Sequence, residues 1–177
     1  MIQFTNDFLK KTNKLGFFVV LICGTLLHFT FGWSGRNPIV GIFSAINEST
    51  WEHMKLLFMP SFVYFLIEQK KYGQQSKDLL TARTFGLLLG LAFIPISFYT
   101  YSGIIGKSFL WVDMVIFAAS IILSLYLSSL FLNARIRLTA LAALLILVGV
   151  LIVFFLLTFF PPHIALFLDP EHFTYGI

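Results

Sequence analysis

The sequence predicts an all-α fold: a polytopic transmembrane bundle of about five helices, with a short re-entrant or interfacial helix between the first and second. Two observations carry this. Hydrophobic residues make up 58% of the 177, charged residues only 11%, and the mean hydropathy is +0.90, which takes the chain out of the soluble class. Apolar stretches at 15–32, 47–69, 82–104, 108–131 and 138–160 meet, or nearly meet, the requirement of about 20 residues per membrane-spanning helix. Twenty-two phenylalanines suit lipid-facing surface and could not be hidden in one soluble core of this size. Residues 1–177 form a single integral membrane domain by this reading.

The first element opens with Lys10, Lys11 and Lys14 ahead of an apolar run, as a signal peptide would, but no small-x-small cleavage pattern closes it. Bulky Ile22 before Cys23 argues against lipoprotein processing. The segment therefore reads as a retained anchor, and Cys23, with no second cysteine to pair with, as a small packing residue. A turn follows at Trp33-Ser34-Gly35-Arg36-Asn37-Pro38, with Asn37 placed to cap a helix and Pro38 at its first position. The apolar segment Ile39 to Ile46 is too short to span, hence the re-entrant or interfacial helix. Pro60 and Pro95 fall inside the second and third spans, where neighbouring helices can satisfy the freed carbonyls. Gly86-x-x-x-Gly90 in the third and Ser120-x-x-x-Ser124-x-x-x-Ser128 in the fourth are small-residue seams that let backbones approach closely in lipid. Trp33, Trp51 and Trp111 read as anchors of the interfacial aromatic belt.

Orientation follows from the basic residues, which sort by loop. Lys10, Lys11, Lys14, Lys70, Lys71, Lys77, Arg83, Arg135 and Arg137 fall on one side; only Arg36, Lys55 and Lys107 fall on the other. The positive-inside rule then places the N-terminus in the cytoplasm and, after five spans of a plasma membrane, the C-terminus outside. The net charge of +4 is accounted for by this sorting and implies no nucleic acid. The expected partners are the lipid bilayer and, through the Phe-rich surface and small-residue seams, a membrane-protein partner or further copies of the chain.

Charge at membrane depth costs at least about 2.5 kcal/mol per residue near a helix centre, so such residues usually face the bundle interior and serve function. Glu48, Glu52, His53 and Lys55 stand together at the head of the second span. Counting back about 20 residues at 1.5 Å of rise from the boundary at Glu68-Gln69-Lys70 places them in the outer leaflet. Topology brings other groups to the same level: His28 at the end of the first span, Tyr99 and Tyr101 at the end of the third, Asp113 at the start of the fourth. His163 and Asp169 lie in a tail that can fold back over the bundle. His28, Glu48, Glu52, His53, Asp113, His163 and Asp169 are thus candidate ligands for a divalent metal such as zinc. Glu52, His53 and Glu48 are the candidate catalytic groups, with Glu52 as the general base. A structural reading competes for part of the set: Ser49-x-x-Glu52 has the spacing of a capping box, and Lys55 can pair with Glu52 three residues away.

The segments His28-Phe29, Trp33-Ser34-Gly35, Asn37-Pro38-Ile39-Val40, Asn47-Glu48-Ser49-Thr50-Trp51-Glu52-His53, Phe98-Tyr99-Thr100-Tyr101 and Pro161-Pro162-His163, with the tail Thr174-Tyr175-Gly176-Ile177, resemble an uncharacterised family of small multi-pass membrane proteins of Gram-positive bacteria. The Asn-Glu-Ser-x-Trp-Glu-His run is the most specific part, and Glu171-His172-Phe173 departs from the family pattern. The resemblance implies the topology and the site but brings no activity with it. Three functions stay open: an enzyme acting at the outer leaflet on a lipid or lipid-linked substrate, a solute-binding or transport protein, and an accessory subunit whose polar cluster is structural.

Overall fold

The computed structural model describes residues 2–74, 76, 78–134 and 138–176. Six helices follow in order: α1 (Ile2–Trp33), α2 (Pro38–Gly41), α3 (Thr50–Tyr72), α4 (Leu79–Ile105), α5 (Leu110–Asn133) and α6 (Ala140–Phe159). A 3-10 turn at Ala165–Phe167 lies in the tail. Among the described residues there is no strand, only an isolated antiparallel bridge between Leu168 and Tyr175. Among the described residues, four helical segments are long and apolar enough to cross a membrane: Phe8–Trp33, Leu79–Ile105, Leu110–Leu132 and Ala140–Phe159. The chain is therefore an all-helical, polytopic transmembrane bundle.

The fifth long helix, α3, has 23 residues, or about 34 Å at 1.5 Å each. It is less apolar than the others because it is the central one, contacting α1, α4, α5, α6 and the tail turn. Its Leu57, Phe58 and Phe65 are buried at 1% exposure or less. Surrounded by other helices, α3 can carry charge that a lipid-facing helix could not.

The small-residue seams are used inside the chain. A Cβ on Gly86 would lie 2.3 Å from the Ser124 carbonyl oxygen, and one on Gly90 would lie 2.8 Å from the Ser124 Cβ. Glycine at these two positions is what lets α4 and α5 meet backbone to backbone, so the seam is not free for a partner.

Several local expectations change. Asn37 does cap α2, accepting from Ile39 N at 2.9 Å, but the helix is a single turn, and the chain from Ile42 runs irregularly into the bundle with Ser44 fully buried. Ser44 explains why: its hydroxyl donates to the Leu27 carbonyl at 2.6 Å and accepts from Phe31 N at 3.0 Å, tying the segment to α1. Trp33 and Trp111 are exposed as interfacial anchors should be, whereas Trp51 is buried against Phe154 and Phe167 and is a core residue. Cys23 is exposed on the surface of α1 rather than packed inside.

The basic residues also need correction. Lys77, Arg135 and Arg137 lie outside the described residues. Arg83 is no loop cation: at 1% exposure it makes a bidentate pair with Glu68, at 2.7 and 2.8 Å, and donates to Asn13 Oδ1 at 2.7 Å. Asn13 in turn donates to Ser129 Oγ at 2.9 Å, so one network ties α1, α3, α4 and α5 together at the end opposite His28.

Candidate metal centre

The site begins where the chain enters α3. Asn47 Oδ1 accepts from Ser49 N at 3.0 Å, and the Ser49 hydroxyl accepts from Glu52 N at 3.4 Å, capping the helix. The reciprocal half of a capping box is missing, because Glu52 reaches Ile46 N at 3.0 Å instead. This turn leaves Glu48 just ahead of the helix, directed toward α1, and His53 one turn into it.

Glu48 Oε2 stands 3.4 Å from His28 Nε2 and 3.4 Å from His53 Nε2, and the two imidazole rings are 5.2 Å apart, edge to face. One ligand atom from each of the three residues lies within 4.8 Å of the others. The imidazoles of His28 and then His53 hold the Glu48 carboxyl well below the usual carboxylate range. The Nδ1 of His53 is 2.9 Å from the Ser49 carbonyl oxygen, an obligate acceptor. Both nitrogens of His53 therefore face acceptors, the carbonyl and the Glu48 carboxylate. That arrangement is favourable only with a positive charge between Nε2 and the carboxylate, a proton or a metal ion. An Nδ1–H bonded to a backbone carbonyl is also how metal-bound histidines are usually held.

The separations suit a metal. Tetrahedral zinc with bonds of about 2.1 Å sets its ligand atoms roughly 3.4 Å apart. Both Glu48-to-histidine edges already have that length, and the His28-to-His53 edge lies within 4.8 Å. Two histidines and one carboxylate, leaving a position open, is the donor set of catalytic zinc sites and of non-haem iron sites.

Beside the triad is a cavity of about 260 Å³, with Glu48, Thr50, His53, Ser108, Asp113 and Glu171 among its lining residues. Ile94, Phe98, Leu110, Ile116 and Phe117, from α4 and α5, supply its apolar wall. Asp113 accepts a short hydrogen bond from the Tyr101 hydroxyl, which itself accepts from Phe109 N at 3.2 Å. The end of α4 and the start of α5 are thereby joined, and Asp113 faces the cavity without touching the triad.

The other anticipated residues go elsewhere. Glu52 is 2% exposed, 2.5 Å from the ammonium of fully buried Lys55. Lys55 also donates to the Gly41 carbonyl at 2.8 Å and to Thr158 Oγ1 at 2.9 Å, which uses all three of its donors. This network joins α2, α3 and α6. It keeps Glu52 away from the cavity lining and uses the lysine charge internally. His163 stacks on Tyr175 at 4.5 Å in the tail. Asp169, 2% exposed, organises the tail turn by accepting from Glu171 N at 2.9 Å and pairing with His172 Nδ1 at 3.0 Å. Thr50 and Ser108 were missed by sequence reading, which looked only for titratable groups.

The fold and this site define a helical, multi-pass membrane protein with a two-histidine, one-carboxylate cluster at one end. The model of one sequence family, described as a family of unknown function (DUF6512), matches residues 1–177, and the chain belongs to that family. No curated protein and no solved structure matches it.

Proposed function

We propose that this chain is a metal-dependent enzyme of a bacterial plasma membrane, with its N-terminus in the cytoplasm and its C-terminus outside. His28, Glu48 and His53 hold a divalent transition metal such as zinc at the outer leaflet, and the adjoining cavity presents a lipid or lipid-linked substrate for hydrolysis. The observation that carries this reading is the convergence of the three ligand atoms at metal-compatible separations beside a cavity lined by both polar and apolar side chains. A bound metal would polarise the substrate and lower the pKa of a bound water. Asp113, which lines the cavity, is better placed than Glu52 to receive a proton, since Glu52 is bound up with Lys55. In the hydrolysis, the water oxygen bonds to the acyl centre, the ester C–O bond breaks, and the water proton passes by way of Asp113 to the leaving oxygen.

The test is elemental analysis of purified protein. About one transition-metal ion per chain is expected, lost in His28→Ala and His53→Ala variants that still run as folded species. Metal-free wild-type protein that also binds no added zinc overturns the reading. Accessibility of terminal tags in intact cells tests the orientation: an outward-facing N-terminus would reverse it.

A non-enzymatic reading rests on one observation. The ligands come from α1, the loop before α3 and α3 itself, so a metal there would also cross-link two helices. In that case zinc would raise thermal stability while Asp113→Asn left every cellular phenotype unchanged.

A further inference from the structure

We infer that the cavity beside His53 selects an uncharged, single-chain acyl amphiphile, such as a monoacylglycerol ester, over an anionic phospholipid. The inference rests on reading the cavity as a substrate chamber, as proposed above, and deepens it by naming the substrate class.

Charge is the first argument. No lysine or arginine is among the cavity's lining residues, while Glu48, Asp113 and Glu171 all line it. The buried cation of this region, Lys55, has all three donors engaged by Glu52, Gly41 and Thr158. Phosphate sites are built from arginine forks, lysines or helix N-termini aimed at the ligand. Here a phosphate monoester would meet three carboxylates, of which Glu48 is balanced by the positive charge it shares with His53, while Asp113 and Glu171 have no lysine or arginine in the lining to offset them. Like charges in a partly desolvated site are strongly disfavoured. A neutral ester head meets no such penalty, and the hydroxyls of Thr50 and Ser108 can bond its glycerol oxygens.

Size and lining give the second argument. A volume of about 260 Å³ falls below the roughly 300–1,000 Å³ of pockets that enclose a drug-sized ligand. It holds a polar head and the first few carbons of one chain, not a two-chain lipid. The side chains that would meet those carbons, Ile94, Phe98, Ile116 and Phe117, are apolar and come from α4 and α5. Leu110, a further lining residue, is 77% exposed, which leaves the remainder of the chain a way out toward the lipid.

The experiment is native mass spectrometry of the full chain in a non-ionic detergent, without added metal, with monoolein and its 3-phosphate as separate probes. Wild type should retain monoolein at least tenfold more tightly than the phosphate. Ile94→Phe, which fills the apolar wall, should weaken monoolein at least tenfold, with Ile116→Phe as the second variant should the first not fold. Asp113→Asn should improve binding of the phosphate severalfold by removing one repelling charge. Equal or tighter binding of the phosphate, retention of neither probe, or monoolein binding unaffected by both wall-filling variants overturns the inference. Bound metal is read from the mass of the same species, so probe binding and metal content are scored separately. Monoolein binding by a chain that holds no zinc would sink the proposed chemistry and leave the selectivity standing.

Discussion

His53 and Ser49 are joined one turn apart at the head of α3, the ring Nδ1 lying 2.9 Å from the serine carbonyl oxygen. The contact fixes which imidazole nitrogen faces Glu48, so the ring's orientation is set by the helix cap before any ion binds. Pre-orientation of this kind lowers the cost of assembling a metal site.

It follows that the three ligands should be unequal to their neighbours in a zinc titration. Replacing His28, Glu48 or His53 by alanine is expected to weaken zinc by more than the roughly 10- to 100-fold that attends loss of an outer partner. Glu52→Gln should leave zinc affinity largely intact in whatever fraction remains folded, because its oxygens serve Lys55 and Ile46. Isothermal titration on each purified variant gives the ranking, and a Glu52→Gln loss as large as that of His53→Ala would refute it.

Glu52 and Lys55 make a separate prediction about stability. Both are buried, at 2% and 0% exposure. Removing one member of such a pair leaves an uncompensated buried charge, with a cost of about 3–5 kcal/mol, whereas replacing both together is often close to neutral. Lys55→Met alone should therefore lower thermal stability in detergent much more than the double variant Glu52→Gln with Lys55→Met. If the double variant is the less stable of the two, the ion pair has a role beyond its own neutralisation.

The α4–α5 seam gives a rank order. Gly86→Ala pushes a Cβ to 2.3 Å from the Ser124 backbone oxygen, which cannot move as a side chain could, while a Cβ at Gly103 or Gly149 meets nothing within 4 Å. Overpacking typically costs about 1–3 kcal/mol. Gly86→Ala should accordingly lower the melting temperature while Gly103→Ala and Gly149→Ala change it little. The same measurement distinguishes an intramolecular seam from a docking face, since a docking face would tolerate Gly86→Ala in the isolated protein.

The bundle and the level of its polar groups were legible because hydrophobic length and rise per residue convert directly into depth. That argument put His28, Glu48 and His53 at one height, and the structure joins them. It could not separate Glu52 from them: depth says nothing of azimuth, and Glu52 turns away toward Lys55 and Thr158. His163 and Asp169 escaped for another reason, since an irregular tail has no period from which to read direction. The Arg83 pairing with Glu68 was readable in principle. Glu68 stands four residues before the end of α3 at Tyr72 and Arg83 four residues after the start of α4 at Leu79, so an antiparallel pair of helices sets them side by side. Counting Arg83 as a loop cation hid that.

The tail supplies the last prediction. Asp169 holds it in shape, its carboxylate accepting from the backbone of Glu171 and its own backbone bonding Thr174 at 2.9 Å and Phe173 at 2.9 Å. Phe173 adopts a left-handed φ of 56°, a conformation a phenylalanine keeps only when the surrounding bonds enforce it. The tail end is tied to the site loop through Asn47, which donates to the Gly176 carbonyl at 3.1 Å. Asp169→Ala removes the carboxylate's bonds to Glu171 N and to His172 while the backbone bonds to Phe173 and Thr174 remain, and residues 170–174 should open more readily, because those two bonds alone hold the left-handed residue less firmly. Chymotrypsin should cut at Phe173 in this variant and spare the wild type. Zinc affinity should persist, since none of the three ligands is in the tail, whereas retention of monoolein should fall as Pro170 and Glu171 leave the cavity wall. Cleavage at Phe173 in the wild type at the same rate would show that Asp169 does not restrain the tail.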